Sequence, residues 1–252
     1  MITRVELTAY LHDLLSCADF EDYAPNGLQI EGGMQIHRIC TAVTASMDAI
    51  NKAIAFKSDA LIVHHGYFWR GEDPVLIGMK RKRIAELLKY NINLFAYHLP
   101  LDCHAELGNN ACLGRLFNLE SIETHKIAKT RDLLWSGTLA ETITAKQFAV
   151  KIQKILGREA LHLSGSEKPI QKLAWCSGAA QDLIEHAHKL GVDGFLSGEV
   201  SERTFYQAQE LGIHYFSSGH HATERYGVQA LGKHLAAKYG LDYQFIDSTN
   251  PI

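Results

Sequence analysis

The 252 residues are enough for one large domain or two small ones with cores of their own, and 46% apolar against 21% charged residues is the balance of an ordinary globular protein. A net charge of −3, with no basic run denser than Lys80-Arg81-Lys82-Arg83, argues weakly against sequence-neutral nucleic-acid binding, although a ring-shaped oligomer could line a hole with local positive charge. Five cysteines without a CxxC pair read as reduced thiols, not as a disulfide framework or a thiolate zinc site. The acid-bearing amphipathic start and the lack of an apolar run near ~18 residues speak against a secretory leader or a membrane span, so a cytoplasmic protein is expected. Helical periodicity spans 3–16, 46–57, 80–90, 108–117, 145–156, 180–190, 202–211 and 222–239. Short apolar runs alternate with these: RICTAV (38–43), ALIV (60–63), INLFAY (92–97), LLWSGTL (133–139), KLAWCS (172–177), GFLS (194–197), IHYFSS (213–218) and YQFID (243–247). The alternation predicts an α/β protein with a substantially parallel sheet.

A weak internal repeat accompanies it. IHRICTAVTASMDAINKAI (36–54) lies on IQKLAWCSGAAQDLIEHAH (170–188) with a shift of 134 and no gap, and the same shift carries Asp59 onto Asp193 and His65 onto Glu199. Two related α/β lobes are therefore expected, about 1–125 and 126–252, with the C-terminal helix free to pack back on the first lobe. Asp59 and Asp193 precede strands and read as turn residues, and Glu199 reads as the remnant of a lobe that lost its ligands.

Open α/β sheets place ligands beyond the carboxyl ends of their strands. His64-His65-Gly66 follows ALIV, His98-Leu99-Pro100-Leu101-Asp102 follows INLFAY, and Gly219-His220-His221-Ala222-Thr223-Glu224 follows IHYFSS. Side chains alternate along a strand, so His64 and His65 share a ligand only at a strand end, where Gly66 lets the backbone turn. His220 and Glu224 stand four apart at the start of a helical run and share one face. His221 is rotated by about 100° and reads as a neighbour or proton relay. His98 and Asp102 are also four apart, but Pro100 speaks against a continuous helix there. A lone strand-end histidine usually caps or faces solvent. Three such motifs at separate strand ends favour a metal site in the cleft between the lobes. The five groups His64, His65, Asp102, His220 and Glu224 exceed the usual set for one catalytic zinc. They suit two divalent ions of the Zn, Fe, Mn, Co or Ni type, able to make hydroxide near neutral pH. His98 and His221 are candidates for hydrogen bonds to a metal-bound water or a ligating carboxylate, against the plainer reading of satisfied polar neighbours. Tyr67, Phe68 and Trp69 suit an oligomer contact slightly better than a stacking platform.

Four stretches in this order, PNGLQIEG (25–32), DALIVHHGYFW (59–69), YHLPLD (97–102) and SSGHHATERYGV (217–228), closely resemble the GTP cyclohydrolase 1 type 2 homologues, the Ngg-interacting-factor-3-like family, in its compact form without a central insertion. The resemblance implies a toroidal homohexamer with a dinuclear metal site facing the internal cavity, and it places the family's ligands on the same five residues. A metal-dependent hydrolase with GTP as a candidate substrate is the leading expectation. A non-catalytic toroidal metal-binding scaffold, linked to nucleic acid or the response to DNA damage, is the alternative. No GxxxxGK[ST] loop supports a P-loop nucleotide site.

Overall fold

A computed structural model describes residues 1–252, and packing divides them into two compact units, Met1–Leu101 with Gly227–Thr249 and Asp102–Tyr226 with Asn250–Ile252. In chain order the elements are β1 (Ile2–Thr3), α1 (Arg4–Leu14), β2 (Gly27–Ile30), β3 (Gln35–Ile36), β4 (Arg38–Thr44), α2 (Met47–Ala55), β5 (Ala60–His65), α3 (Gly78–Lys89), β6 (Asn93–Ala96) and α4 (Leu99–Asp102). There follow α5 (Asn109–Leu116), β7 (Leu119–Ile127), β8 (Thr130–Ile143), α6 (Ala145–Leu156), β9 (Leu161–Leu163), β10 (Ile170–Trp175), α7 (Ile184–Lys189), β11 (Gly194–Ser197), α8 (Glu202–Leu211), β12 (His214–Ser217), α9 (His220–Tyr239) and β13 (Asp242–Phe245).

The first unit holds a five-stranded sheet in the order β13-β4-β5-β6-β2, parallel except for β2. Strand β5 is buried on both faces, as a central parallel strand covered on both sides must be, which explains its unbroken apolar run. Leu61, Val63 and Leu94 pack on one face with Ile50 and Ala53 of α2 and Leu87 of α3. Helix α1 starts where Thr3 and Glu6 form a reciprocal capping box, which pairs two of the N–H groups that a helix start leaves unpaired.

The second unit holds a six-stranded sheet in the order β7-β8-β10-β11-β12-β9, with β10, β11 and β12 parallel and the flanking pairs antiparallel. Its strands show the period of two directly. Leu173, Trp175, Leu196 and Phe216 join one cluster, while Ala174, Cys176, Phe195 and Tyr215 join the other. Helix α6 is capped by Thr144 and Gln147, ends on left-handed Gly157, and buries Phe148, Ile152 and Leu156 at four-residue spacing. Burying each of these side chains is worth about 1.5–3 kcal/mol.

The repeat is visible in hydrogen bonds. Asp59 Oδ2 accepts the backbone N–H groups of His37 (2.7 Å) and Arg38 (2.9 Å) at the start of β4. Asp193 Oδ2 accepts those of Gln171 (2.9 Å) and Lys172 (2.8 Å) at the start of β10. Each aspartate thus joins the beginnings of two neighbouring parallel strands, a firmer task than closing a turn.

The division departs from the boundary near residue 125. Helix α5 and β7 belong to the second unit because Asn110 accepts Trp175 Nε1–H on its carbonyl (2.9 Å) and Ser177 N–H on its Oδ1 (2.9 Å), and because β7 pairs with β8. After α9, β13 pairs in parallel with β4 and returns the chain to the first unit's sheet. The divide itself falls inside α4 and α9. Strands β2, β7 and β9 lie outside the apolar runs. β7 is mostly exposed and polar, and β2 and β9 are short edge strands.

Candidate metal centre

In the first unit, β5 delivers His64 and His65 as its last two residues, with ring centroids 4.6 Å apart. His64 is fully buried, and its Nδ1 lies 2.8 Å from the Tyr97 carbonyl. A carbonyl only accepts, so Nδ1 carries the proton and the lone pair falls on Nε2, the tautomer a metal ligand requires. His65 Nδ1 makes a longer contact of 3.5 Å with Thr44 Oγ1. Gly66 is needed for a different reason from the expected turn: it is not left-handed, but a Cβ there would meet Gln29 Oε1 at 2.2 Å and Ala96 Cβ at 2.6 Å. That Gln29 oxygen accepts Tyr67 N–H at 2.7 Å, so the glycine admits a side chain that holds the loop after the histidines.

His98 stands just before α4 and joins the pair, with centroids 5.1 Å from His64 and 5.8 Å from His65. The ligand atoms of these three imidazoles all lie within 4.8 Å of one another, a grouping able to hold a metal ion. His98 Nδ1 is 2.7 Å from Asp22 Oδ1, and its backbone N–H donates to Asn26 Oδ1 at 2.7 Å. Asp22 Oδ2 accepts Leu99 N–H (2.9 Å) and Asn26 Nδ2–H (2.8 Å). Burial pushes the Asp22 carboxyl up, but the hydrogen bond and charge of His98, with Asn26 and the Tyr23 N–H, outweigh it and hold the group below the usual range. Trp69 sets its ring edge-on to His98 at 5.1 Å and near His65 at 5.9 Å. Tyr67 is instead a packed residue whose hydroxyl donates to the Ala45 carbonyl at 2.7 Å. A one-turn helix does form over Leu99–Asp102 in spite of Pro100, because proline's missing N–H is one a first turn leaves unpaired anyway.

In the second unit, Asp102 is buried, and its Oδ1 accepts Asn109 Nδ2–H (2.9 Å) and Ser177 Oγ–H (2.8 Å). Helix α9 opens on His220, whose Nε2 lies 3.1 Å from Glu224 Oε2 one turn on and whose Nδ1 lies 2.6 Å from Glu199 Oε1. Burial would lower the His220 pKa, but Glu224 and then Glu199 more than offset that and raise it from 6.5 to about 9. Gly178 is left-handed (φ +66°), and a Cβ there would stand 2.2 Å from Glu224 Oε1 and 3.3 Å from His220 Nε2. Cys176 is held protonated by burial and then by the charges of Asp102 and Glu224, so it does not present a thiolate ligand. His221 is buried and its backbone N–H donates to the Ile252 carbonyl at 2.8 Å. His214, the first residue of β12, is a satisfied core residue bonded to the Lys168 carbonyl at 2.9 Å and to His162 of β9 at 3.2 Å.

The donor set fits a divalent metal. Imidazole nitrogens and carboxylate oxygens are the mixed ligands of Zn, Fe, Mn, Co or Ni, and His64, His98 and His220 each have one ring nitrogen fixed by a carbonyl or carboxylate. Asp22 and Glu199 are orienting groups that sequence reasoning missed. Asp22 carries no spacing signal, being remote from His98 in sequence. Glu199 sits at the repeat position of His65 and is a working hydrogen-bond partner of His220, not a remnant.

Comparison with known proteins places the chain. The family model described as Duf34/NIF3 (NGG1p interacting factor 3) matches residues 2–251. A GTP cyclohydrolase 1 type 2 homolog of Allochromatium vinosum is 51% identical over 98% of this chain and 96% of its own, and one of Vibrio cholerae is 46% identical over 100% of both. Among solved structures, the ybgI protein, of unknown function, is 43% identical with a TM-score of 0.95 over 100% of both chains. A protein of Thermus thermophilus is 32% identical with a TM-score of 0.91, again over 100% of both. The chain belongs to the Duf34/NIF3 (NGG1p interacting factor 3) family.

Proposed function

We propose that His64, His65, Asp102, His220 and Glu224 are the ligands of a pair of divalent metal ions and that the protein is a metal-dependent hydrolase. The observation that carries this reading is the way the donor side chains are held. Tyr97 O fixes His64, Glu199 fixes His220, and Asn109 and Ser177 fix Asp102, so each presents a set atom at little further entropic cost. When bound, such a pair supplies an acidified water and a Lewis acid. The chain's own part is to orient: Glu199 accepts a hydrogen bond from His220 Nδ1, the Tyr97 carbonyl accepts one from His64 Nδ1, and the Trp69 ring stands edge-on to His98 beside the cluster.

GTP is the first substrate to test, because the relatives' name points to it and Trp69 offers an aromatic edge near the cluster. The experiment is turnover of GTP and of simple amide and phosphoester substrates by metal-loaded protein, with Glu224→Ala as control. Turnover in the wild type alone supports the hydrolase, whereas bound metal with no turnover favours the scaffold. We also propose a homohexameric ring working in the cytoplasm. The exposed rings of Phe205 and Tyr206 beside Leu161 and Val200 suit burial between copies, and all five cysteines are free, as a reducing compartment keeps them. No helix is long and apolar enough to cross a membrane. Light scattering of the eluting protein reads the assembly state.

A further inference from the structure

We infer that Trp69 is a substrate-recognition residue whose indole, set beside His65 and His98, receives a planar nitrogen heterocycle, with Glu72 its positioning residue. This rests on the reading of the metal centre as a site for a small-molecule substrate, and it adds the chemical class of that substrate.

The three tryptophans of the chain are held in two different ways. Trp135 and Trp175 are buried, and their Nε1–H groups donate to the carbonyls of Asp132 (2.7 Å) and Asn110 (2.9 Å), as a core indole requires. Trp69 is half-buried, and its Nε1–H donates to no group of the protein. Its ring partners are His65 and His98, crossed at 65° and 85°, so no ring of the protein stacks parallel on it. An indole that served only packing would be covered and its N–H paired.

The backbone around it is built for presentation. Phe68 is left-handed (φ +67°), a conformation that bulky side chains rarely adopt and that persists only where the surroundings over-determine it. Glu72 supplies the restraint: its Oε2 accepts Phe68 N–H (3.1 Å), Trp69 N–H (3.2 Å) and Lys80 Nζ–H (3.0 Å), while Lys80 Nζ stands 4.9 Å from the centre of the Phe68 ring. The Trp69 carbonyl accepts Glu72 N–H at 3.0 Å, and Arg70 N–H donates to the Tyr23 carbonyl at 2.6 Å. The chain is thus tied on both sides of an indole that is itself left unpaired, within 6 Å of two imidazoles of the candidate metal centre. A flat conjugated ring gains by stacking on an indole face, and the Nε1–H at the indole's rim is left for an acceptor on the same ligand. A heterocycle of the nucleobase type offers both.

The test uses the untagged, Zn²⁺-loaded full chain. Because Trp135 and Trp175 are buried, quenching of tryptophan emission by acrylamide reports Trp69. A nucleoside among guanosine, adenosine and uridine is expected to quench that emission saturably and to shield it from acrylamide, whereas ribose 5-phosphate does neither. Calorimetry with the same nucleoside is expected to show about 10–100-fold weaker binding in Trp69→Leu and a smaller loss in Trp69→Phe, which keeps a ring. Glu72→Gln is expected to fall between wild type and Trp69→Leu, and all three variants to keep the wild-type metal content. Equal nucleoside affinity in wild type and Trp69→Leu overturns the inference. So does an emission that acrylamide cannot reach, which assigns the ring to a contact between copies. A wild type that binds none of the three nucleosides overturns it too, and turnover of another substrate then leaves the proposed function standing. Binding through Trp69 without turnover of any substrate upholds the inference and removes the hydrolase.

Discussion

The end of β5 and the end of β11 occupy matching places in two units built on one frame, yet they do different chemistry. Beyond ALIV the chain carries His64 and His65; beyond GFLS, the same step of 134 residues on, it carries Gly198 and Glu199. The frame is kept in both, since Asp59 and Asp193 join the starts of the parallel strands through equivalent pairs of hydrogen bonds. The side chains differ because the start of a helix replaces a strand end as the source of donor side chains. A Cβ on Gly198 would lie 2.8 Å from His220 Cα and 2.7 Å from the Gly178 carbonyl, so the place of His64 is filled by the backbone of α9. Glu199 then lies within hydrogen-bond distance of His220 Nδ1, at 2.6 Å, and orients that imidazole. A repeat therefore preserves its scaffold more faithfully than its site.

The largest expected effect comes from forcing a side chain into the filled position. Gly198→Ala presses on two backbone groups that cannot swing away, and it is expected to destabilise the protein by about 2–4 kcal/mol, measured by denaturant unfolding. Equal stability of this variant and wild type would break the comparison. Next, Glu199→Ala is expected to weaken metal binding about 10–100-fold, whereas His65→Ala removes a ligand and abolishes one ion; competition with a chromophoric chelator distinguishes the two grades. Asp59→Ala and Asp193→Ala are each expected to cost about 1–3 kcal/mol, by similar amounts, because each removes one carboxylate from two backbone donors. Markedly unequal melting shifts would mean that the two frames are not equivalent.

The smallest effect concerns metal-free protein and pH. His220 has its folded pKa raised from 6.5 to about 9, so its contribution to stability is complete below pH 6.5 and is lost as pH rises through about 9. The stability gap between stripped wild type and His220→Gln is therefore expected to narrow across that window. A gap that widens would contradict the carboxylate pairing.

Much of this site can be read from residue order because its donors sit at strand ends, where apolar runs stop abruptly. His64 and His65 end β5, and His98 and Asp102 bracket the turn after β6. The groups that hold the donors are less legible. Asp22 lies 76 positions from His98 and meets it only through the fold, and Ser177 reaches Asp102 across 75. Gly66 illustrates a second limit: glycine after a histidine pair suggests a turn, but what excludes a Cβ is Gln29, a residue no local pattern links to it. Strand β7 escaped for a third reason. Its outward residues are polar on both sides, and its pairing with β8, not its hydrophobicity, makes it a strand.

The most direct test of the account is metal content per chain of untagged protein purified without added metal, for wild type and His65→Ala/Glu224→Ala, with circular dichroism to confirm that both are folded. The account predicts about two ions in wild type and essentially none in the variant. A folded wild type that carries no metal and takes none up on addition would contradict it.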